Sequence, residues 1–124
     1  MVHLLYKKES YQVIGICMSI HKALGMGLRE ISYKDAMEID FIEQNIPFKR
    51  EKQFNVKYKG HILPHPYFAD FVLFDLIVVE VKSASCLTDA HISQTLSYLA
   101  SSGYRVGLLV NFGERSLTWK RIIL

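Results

Sequence analysis

Two carboxylates and one ammonium group lie close together in the middle of this chain. Asp70 ends the segment Tyr67-Phe68-Ala69-Asp70, and Glu80-Val81-Lys82 follows after the almost wholly apolar residues 71–79. Because side chains alternate between the faces of a strand, Glu80 and Lys82 are expected to point the same way and Val81 the other way. Burying such charges in an apolar hairpin is costly unless an ion or a partner compensates them. The spacing therefore suggests a metal-assisted active site.

The elements that must position these residues follow from the hydrophobic periodicity and from the helix breakers. Helical periodicity predicts a first helix over about 11–24 with Ser10 as its N-cap, and a second over about 28–44, before Pro47. A third is predicted over 87–101, starting near Ser85 or Thr88 and ending before Gly103. Apolar and alternating segments predict strands over residues 48–59, 67–74, 76–83, 104–110 and 117–123, with an extended edge segment over 61–66.

This order of elements, ααβββαββ, predicts an α/β (α+β) fold in which helices flank a mixed β-sheet. The first three strands are expected to form an antiparallel meander. The helix between the third and fourth strands implies a crossover, which would place these two strands parallel or nearly adjacent. The chain has 124 residues, half of them hydrophobic, so we expect a single globular domain over residues 1–124.

Composition narrows the classes of protein. The formal net charge of +3 is compatible with a polyanionic partner but does not establish one. Cys17 and Cys86 do not form a CxxC pair, which excludes an iron–sulfur cluster or a four-cysteine zinc site. No apolar run approaches the roughly 20 residues that span a bilayer, and charges at Lys7, Lys8 and Glu9 interrupt any signal sequence. We therefore expect a soluble, cytoplasmic protein that does not bind membranes.

Further motifs surround the two acids and the lysine. Residues 27–33, Gly-Leu-Arg-Glu-Ile-Ser-Tyr, have the pattern GxxExxY, while Gln94 and Tyr98 lie four residues apart on one face of the predicted third helix. Together with Asp70 and Glu80-Val81-Lys82, these motifs resemble the GxxExxY family of the PD-(D/E)XK nuclease superfamily. The other segments that carry the resemblance are residues 21–25, 58–60, 107–113 and 119–122.

The resemblance extends over nearly the whole chain from about Ser10. The core of the superfamily is a four-stranded mixed sheet flanked by helices in αβββαβ order, which agrees with the predicted order. Ala69 departs from the pattern, because it stands where the family has the proline of its PD pair. The acid itself, Asp70, is present.

The resemblance implies a nuclease that hydrolyses DNA phosphodiester bonds with a metal-activated water. A divalent cation polarises the phosphoryl oxygen and lowers the pKa of a bound water, and Mg²⁺ or Mn²⁺ prefers oxygen ligands. The expected metal ligands are Glu30, Asp70, Glu80 and the backbone carbonyl of Val81. Lys82 would orient or activate the water and offset phosphate charge. Gln94 would support the site, and Tyr98 and Tyr33 would contact the substrate. By analogy with small nuclease cores, the chain would form a homodimer.

Each assignment has a structural alternative. Asp70 and Glu80 could be strand acids paired with Lys82, and Glu30 could be an acid that favours the first turn of a helix. Tyr33 could be a core residue, and Gln94 and Tyr98 the polar edge of a packed helix. For the whole protein, the alternatives are a non-cleaving module that binds nucleic acid or protein, and a hydrolase of another phosphorylated or nucleotide substrate.

Overall fold

Three helices and seven strands make up residues 5–124, the part of the chain that the computed structural model describes. The helices are α1 (Lys7–Leu24), α2 (Glu30–Glu43) and α3 (Asp89–Ser102). The strands are β1 (Phe48–Phe54), β2 (Lys57–Tyr58), β3 (His61–Ile62), β4 (Tyr67–Leu73), β5 (Ile77–Lys82), β6 (Val106–Asn111) and β7 (Thr118–Ile123). No helix within this part is long and apolar enough to cross a membrane.

Five of the strands form one mixed sheet in the order β1-β4-β5-β6-β7, and β2 pairs with β3 in a separate hairpin. As predicted, β1, β4 and β5 are an antiparallel meander. Strands β5 and β6 are parallel neighbours joined through α3, and β7 returns antiparallel along β6. The predicted α+β class and mixed sheet are confirmed, with the β2–β3 hairpin as the one addition to the predicted order.

Helices cover both faces of the sheet, which explains why β5 and β6 are almost continuously apolar. On one face, α1 and α2 pack their buried side chains against alternate residues of β4, β5 and β6, among them Phe71, Val79, Val81, Leu108 and Val110. On the other face, Leu99 of α3 packs with Val72, Val78 and Leu109. Every residue of β6 is buried, as expected for a strand with both faces covered.

Helix α3 is well defined at both ends and lies close to β6. Its N-cap is Thr88, whose hydroxyl accepts a hydrogen bond from the His91 backbone N–H, and its C-cap is Gly103 at φ 83°. A Cβ atom on Gly107 would lie 2.8 Å from Thr95 Cγ2. The glycine therefore permits the close approach of the helix that carries Gln94 and Tyr98.

Two predicted boundaries were wrong. Helix α1 begins at Lys7 with Tyr6 as its N-cap, so Ser10 lies inside the helix, and its hydroxyl donates to the Tyr6 carbonyl at 2.8 Å. A serine can bond to the carbonyl four residues earlier as well as cap a helix, and the sequence pattern does not separate the two cases. Strand β1 ends at Phe54 rather than near Lys59, because residues 57–62 turn back on themselves through Lys59 and Gly60, both at positive φ.

Candidate active site

The candidate site lies where β4 and β5 separate. The two strands pair from Phe71–Val79 to Leu73–Ile77, and the ladder ends before the next pair, Asp70 and Glu80, is reached. Beyond that point, the Asp70 side chain replaces the lost backbone acceptor, because its Oδ2 accepts a hydrogen bond from the Val81 N–H at 2.7 Å. The divergence opens space between the strands and fixes one end of the Asp70 carboxylate.

Strand β4 also changes the face that it presents at Asp70. Alternate residues of a strand should share a face, yet Tyr67 stacks on Tyr98 of α3 at 3.9 Å, whereas Phe71 packs on the side of α1 and α2. In β1, Glu51 is at φ 52° and lies outside the otherwise regular ladder with β4. Both strands are therefore distorted at the same level, and Asp70 comes within reach of α2 as well as β5.

Glu80 is a buried carboxyl group with an unsatisfied oxygen. Its residue is only 4% exposed, and Oε1 is buried without a hydrogen-bond partner among residues 5–124. Burial and the neighbouring Asp70 carboxylate raise the pKa of Glu80 to about 9, although the Lys82 ammonium acts in the opposite direction. Two carboxylates this close do not both ionise readily. A cation bound between them would offset the free-energy cost of ionising both carboxylates.

Asp70 is held from a second direction by a lysine that the sequence analysis missed. Lys34 of α2 is nearly buried, and its Nζ donates to Asp70 Oδ1 at 2.9 Å and also to Glu51. Burial lowers the pKa of Lys34, but the hydrogen bonds to Glu51 and Asp70 outweigh this effect and leave it raised. Lys34 lies one helical turn after Glu30, and this spacing was the only feature of the sequence that could have associated Lys34 with the site. No local pattern, however, pairs α2 with β4.

Lys82 and α3 complete the site on the other side of the pair. Lys82 Nζ donates to Gln94 Oε1 at 3.1 Å, so the lysine of Glu80-Val81-Lys82 contacts the glutamine that the family resemblance assigned to the site. The hydroxyl of Tyr67 donates to the Tyr98 carbonyl at 2.6 Å. Burial and, after it, the charges of Glu80 and Asp70 raise the pKa of Tyr98, whose ring is half-buried.

Glu30 and Tyr33 lie apart from this cluster. Glu30 begins α2, is exposed, and lines a groove with Ser83 and Gly113. Within residues 5–124, no three or more His, Cys, Asp or Glu side chains lie close enough together to hold a metal ion. The expected set of three acidic ligands is therefore not assembled.

Tyr33 is completely buried. Its hydroxyl donates to the Gly25 carbonyl at 2.6 Å, and its ring stacks on Phe112 with 4.3 Å between centroids. This placement corrects the expected substrate contact, because a fully buried ring has no surface to offer a substrate.

The remaining donors fit a divalent cation. Asp70 and Glu80 supply hard oxygen atoms of the kind that Mg²⁺ prefers. Glu80 Oε1 is buried and unpaired in the described part of the chain, and each Asp70 oxygen has lone-pair capacity beyond its one hydrogen bond. Magnesium keeps several waters and needs only one or two carboxylates, so two acids with a backbone carbonyl are a sufficient donor set.

Comparison with known proteins identifies the superfamily of the chain and its fold. Residues 7–122 match the PD-(D/E)XK nuclease superfamily, and the chain belongs to this superfamily. Among curated proteins, none has a significantly similar sequence. Of the solved structures, the crystal structure of SSO0001 aligns with a TM-score of 0.56 and 18% identity, over 73% of this chain and 47% of that one. At this identity, the similarity shows a shared fold.

A second solved structure is that of an alkaline exonuclease, LHK-Exo, from Laribacter hongkongensis. It aligns with a TM-score of 0.40 and 12% identity, over 69% of this chain and 51% of that one. The chain thus spans about half the length of both structures.

Proposed function

We propose that this protein is a metal-dependent nuclease of the GxxExxY family that hydrolyses DNA phosphodiester bonds with a metal-activated water. The observation that carries the proposal is the Asp70–Glu80 pair at the divergence of β4 and β5, with a buried, unsatisfied Glu80 oxygen and Lys82 on the same strand. Membership of the nuclease superfamily supports the same reaction class. A homodimer and a cytoplasmic location remain predictions from the sequence.

Asp70, Glu80 and the Val81 carbonyl would hold Mg²⁺ or Mn²⁺. The cation would polarise a phosphoryl oxygen and lower the pKa of a bound water. The Val81 N–H and the Lys34 ammonium hold the two Asp70 oxygens from opposite directions. The Asp70 carboxylate is therefore oriented before a cation binds, so binding costs little side-chain conformational entropy.

Lys82 is the residue that would act on the substrate itself. Its ammonium group offsets phosphate charge and orients the attacking water, and Gln94 Oε1 holds that ammonium in place at 3.1 Å. The Tyr98 ring, fixed by its stacking on Tyr67, offers a surface beside the carboxylates for the substrate strand. Preorganised charge of this kind acts most strongly where water is partly excluded.

The direct test is cleavage of single- and double-stranded DNA in Mg²⁺ and in Mn²⁺. We expect Glu80→Ala and Lys82→Ala each to lower the cleavage rate by about a hundredfold or more. The matched controls Glu43→Ala and Lys120→Ala replace exposed residues outside the site and should cleave like the wild type. Cleavage that survives both site substitutions would overturn the assignment.

Metal binding is tested separately by thermal unfolding. A cation that binds the folded chain should raise the melting temperature as its concentration rises, and Asp70→Asn should remove this rise. A protein that binds DNA and gains stability with metal but does not cleave would be the non-cleaving module. Faster turnover of mononucleotides than of oligonucleotides would identify a hydrolase of smaller substrates.

A further inference from the structure

A preformed groove adjoins the candidate site. It has a volume of about 910 Å³ and is lined by residues 26–31, residues 83–85 and Gly113. Ser83 directly follows Lys82, so the groove begins one residue from the proposed catalytic lysine. Its volume lies within the range of roughly 300–1,000 Å³ that is usual for small-molecule sites.

Hydrogen bonds hold the groove wall formed by residues 25–28. The Tyr33 hydroxyl donates to the Gly25 carbonyl and accepts from the Leu28 N–H. The Ser83 hydroxyl donates to the Leu28 carbonyl at 2.9 Å, which ties this wall to the opposite one. The buried Tyr33 of the GxxExxY motif thus fixes the backbone of this groove wall through its hydroxyl group.

The opposite wall is clamped by the end of β6. The buried Asn111 side chain bonds both the N–H and the carbonyl of Ala84, at 2.9 and 3.0 Å. A Cβ atom on Gly113 would lie 2.3 Å from the Ala84 carbonyl oxygen, so only glycine permits this approach. Two motifs that take no part in the proposed chemistry, GxxExxY and Asn111-Phe112-Gly113, therefore both build the groove.

The surface of the groove combines apolar side chains with one cation, Arg29, and one anion, the exposed Glu30. Met26, Leu28 and Ile31 line it and are 53, 40 and 46% exposed. These exposed apolar side chains are available for contact with a ligand in the groove. Arg29 is exposed among them. None of the ion pairs in the part of the chain that the structure describes involves Arg29, which leaves its guanidinium available for a phosphate.

We propose that this groove binds one unpaired nucleotide of the substrate strand, next to the phosphate that is cleaved. The base lies against Leu28 and Ile31, and Arg29 contacts the adjoining phosphate. The inference rests on the proposed nuclease function and adds a substrate class to it, which is single-stranded nucleic acid or the unpaired end of a duplex. A fully paired base cannot enter the groove, because its faces and edge are already occupied within the helix.

The test pairs a groove variant with a matched control on the same helix. Ile31→Ser changes the groove, and Ile42→Ser changes a 62% exposed isoleucine at the far end of α2. Single-stranded oligonucleotides with one abasic residue at successive positions are cleaved in Mg²⁺. In a chelator, where cleavage does not occur, anisotropy measures binding of the intact labelled strand and of the same sequence as a blunt duplex.

For the wild type, we expect one abasic position beside the cleaved bond to lower kcat/KM on the order of tenfold, the effect of losing one apolar base contact. Ile31→Ser should lower kcat/KM similarly on the intact strand and show no further loss at that position. It should also weaken binding of the intact strand in the chelator, while Ile42→Ser behaves like the wild type. The blunt duplex should bind more weakly than the single strand.

The outcomes separate this inference from the proposed function. If the abasic residue lowers kcat/KM by the same factor in Ile31→Ser and in the wild type, the groove is not the nucleotide site, but the proposed nuclease activity stands. If the wild type does not cleave, but Ile31→Ser and not Ile42→Ser weakens binding of the single strand, the nuclease proposal is wrong and the groove is supported as a nucleotide site. Equal binding and cleavage by the two variants, with unchanged melting temperatures, would also overturn the groove.

Discussion

At the scale of single residues, the surroundings of Glu80 set its protonation state. In the unfolded chain a glutamate ionises near pH 4.5, whereas burial and the Asp70 carboxylate raise the pKa of Glu80 in the folded protein to about 9. Between these values, unfolding releases a proton that the folded state retains. The free energy of unfolding therefore falls as pH rises through this window.

We therefore predict that Glu80→Gln stabilises the metal-free protein at alkaline pH. Glutamine stays neutral at every pH and does not incur the cost of ionising beside Asp70. In a chelator, the melting temperature of Glu80→Gln should match that of the wild type near pH 4 and exceed it at pH 8. Thermal unfolding followed by circular dichroism across this range measures the difference.

The control for Glu80→Gln is Glu43→Gln, which changes an exposed glutamate and should leave the pH profile unaltered. Adding Mg²⁺ should raise the melting temperature of the wild type more than that of Glu80→Gln, since the cation compensates the charge that glutamine lacks. A Glu80→Gln protein that is less stable than the wild type at pH 8 without metal would contradict the raised pKa.

Residue spacing predicted part of the site, but not all of the contacts within it. Glu80 and Lys82 could be placed on one face because strand alternation is a local rule, whereas Gln94 was assigned to the site only through the family resemblance. Lys34 could not be paired with Asp70 in this way, because their contact depends on how α2 packs against the distorted part of β4. Tyr33 was placed wrongly for the same reason, since motif spacing does not say which side of a helix faces the core.

At the scale of elements, the chain that follows β5 packs tightly against the chain that follows β6. Gly113 lies against the Ala84 backbone, and the Asn111 side chain bonds to that backbone; we call this contact the clamp. We predict that Gly113→Ala destabilises the protein by about 1–3 kcal/mol, because the added Cβ would overlap the Ala84 backbone, which has no room to move away. The displaced residues follow Lys82, so cleavage should also fall. Urea unfolding and the cleavage assay measure the two effects.

The matched control for this substitution is Gly15→Ala. Gly15 lies exposed within α1, and no atom lies within 4 Å of a Cβ added there. Alanine has the higher helix propensity, so Gly15→Ala should stabilise the protein by about 1 kcal/mol and leave cleavage unchanged. Equal stability changes for the two variants would argue against the clamp.

The elements themselves were predictable where their cause is local. Hydrophobic periodicity and breakers predicted all three helices and the five strands of the sheet. The crossover predicted that β5 and β6 are parallel or nearly adjacent, and they are both. The β2–β3 hairpin was missed because its two short strands fell in different predicted segments, the strand over 48–59 and the extended edge segment over 61–66. Neither the cap of α1 nor the hairpin alters the site.

At the scale of the whole molecule, α1 covers the sheet and isolates one of the two cysteines. Cys17 lies on the core-facing side of α1 and is completely buried, and burial together with the charge of Asp40 raises the pKa of its thiol to about 12. Cys86 is exposed in the loop before α3. Since the thiolate is the reactive form, the fold should separate the two thiols kinetically.

We predict that a thiol reagent labels one cysteine of the native protein rapidly and the other only on unfolding. At pH 8, absorbance after addition of the reagent should report one fast equivalent, and a second should appear in denaturant. Cys86→Ser should abolish the fast equivalent, whereas Cys17→Ser should retain it. Two fast equivalents in the folded protein would show that α1 does not cover the sheet.

The sequence by itself determined the order of the main elements and the mixed sheet, and it predicted that the two acids and the lysine lie close together. These features depend on chain neighbours, on strand alternation or on helical periodicity, whereas the role of the glutamine was implied by the family resemblance. Only the tertiary structure decided that β4 and β5 separate at Asp70 and Glu80, that Lys34 reaches Asp70, and that Glu30 lies outside the cluster. These features arise from the distortion of paired strands and the docking of helices on them, which depend on contacts between distant segments.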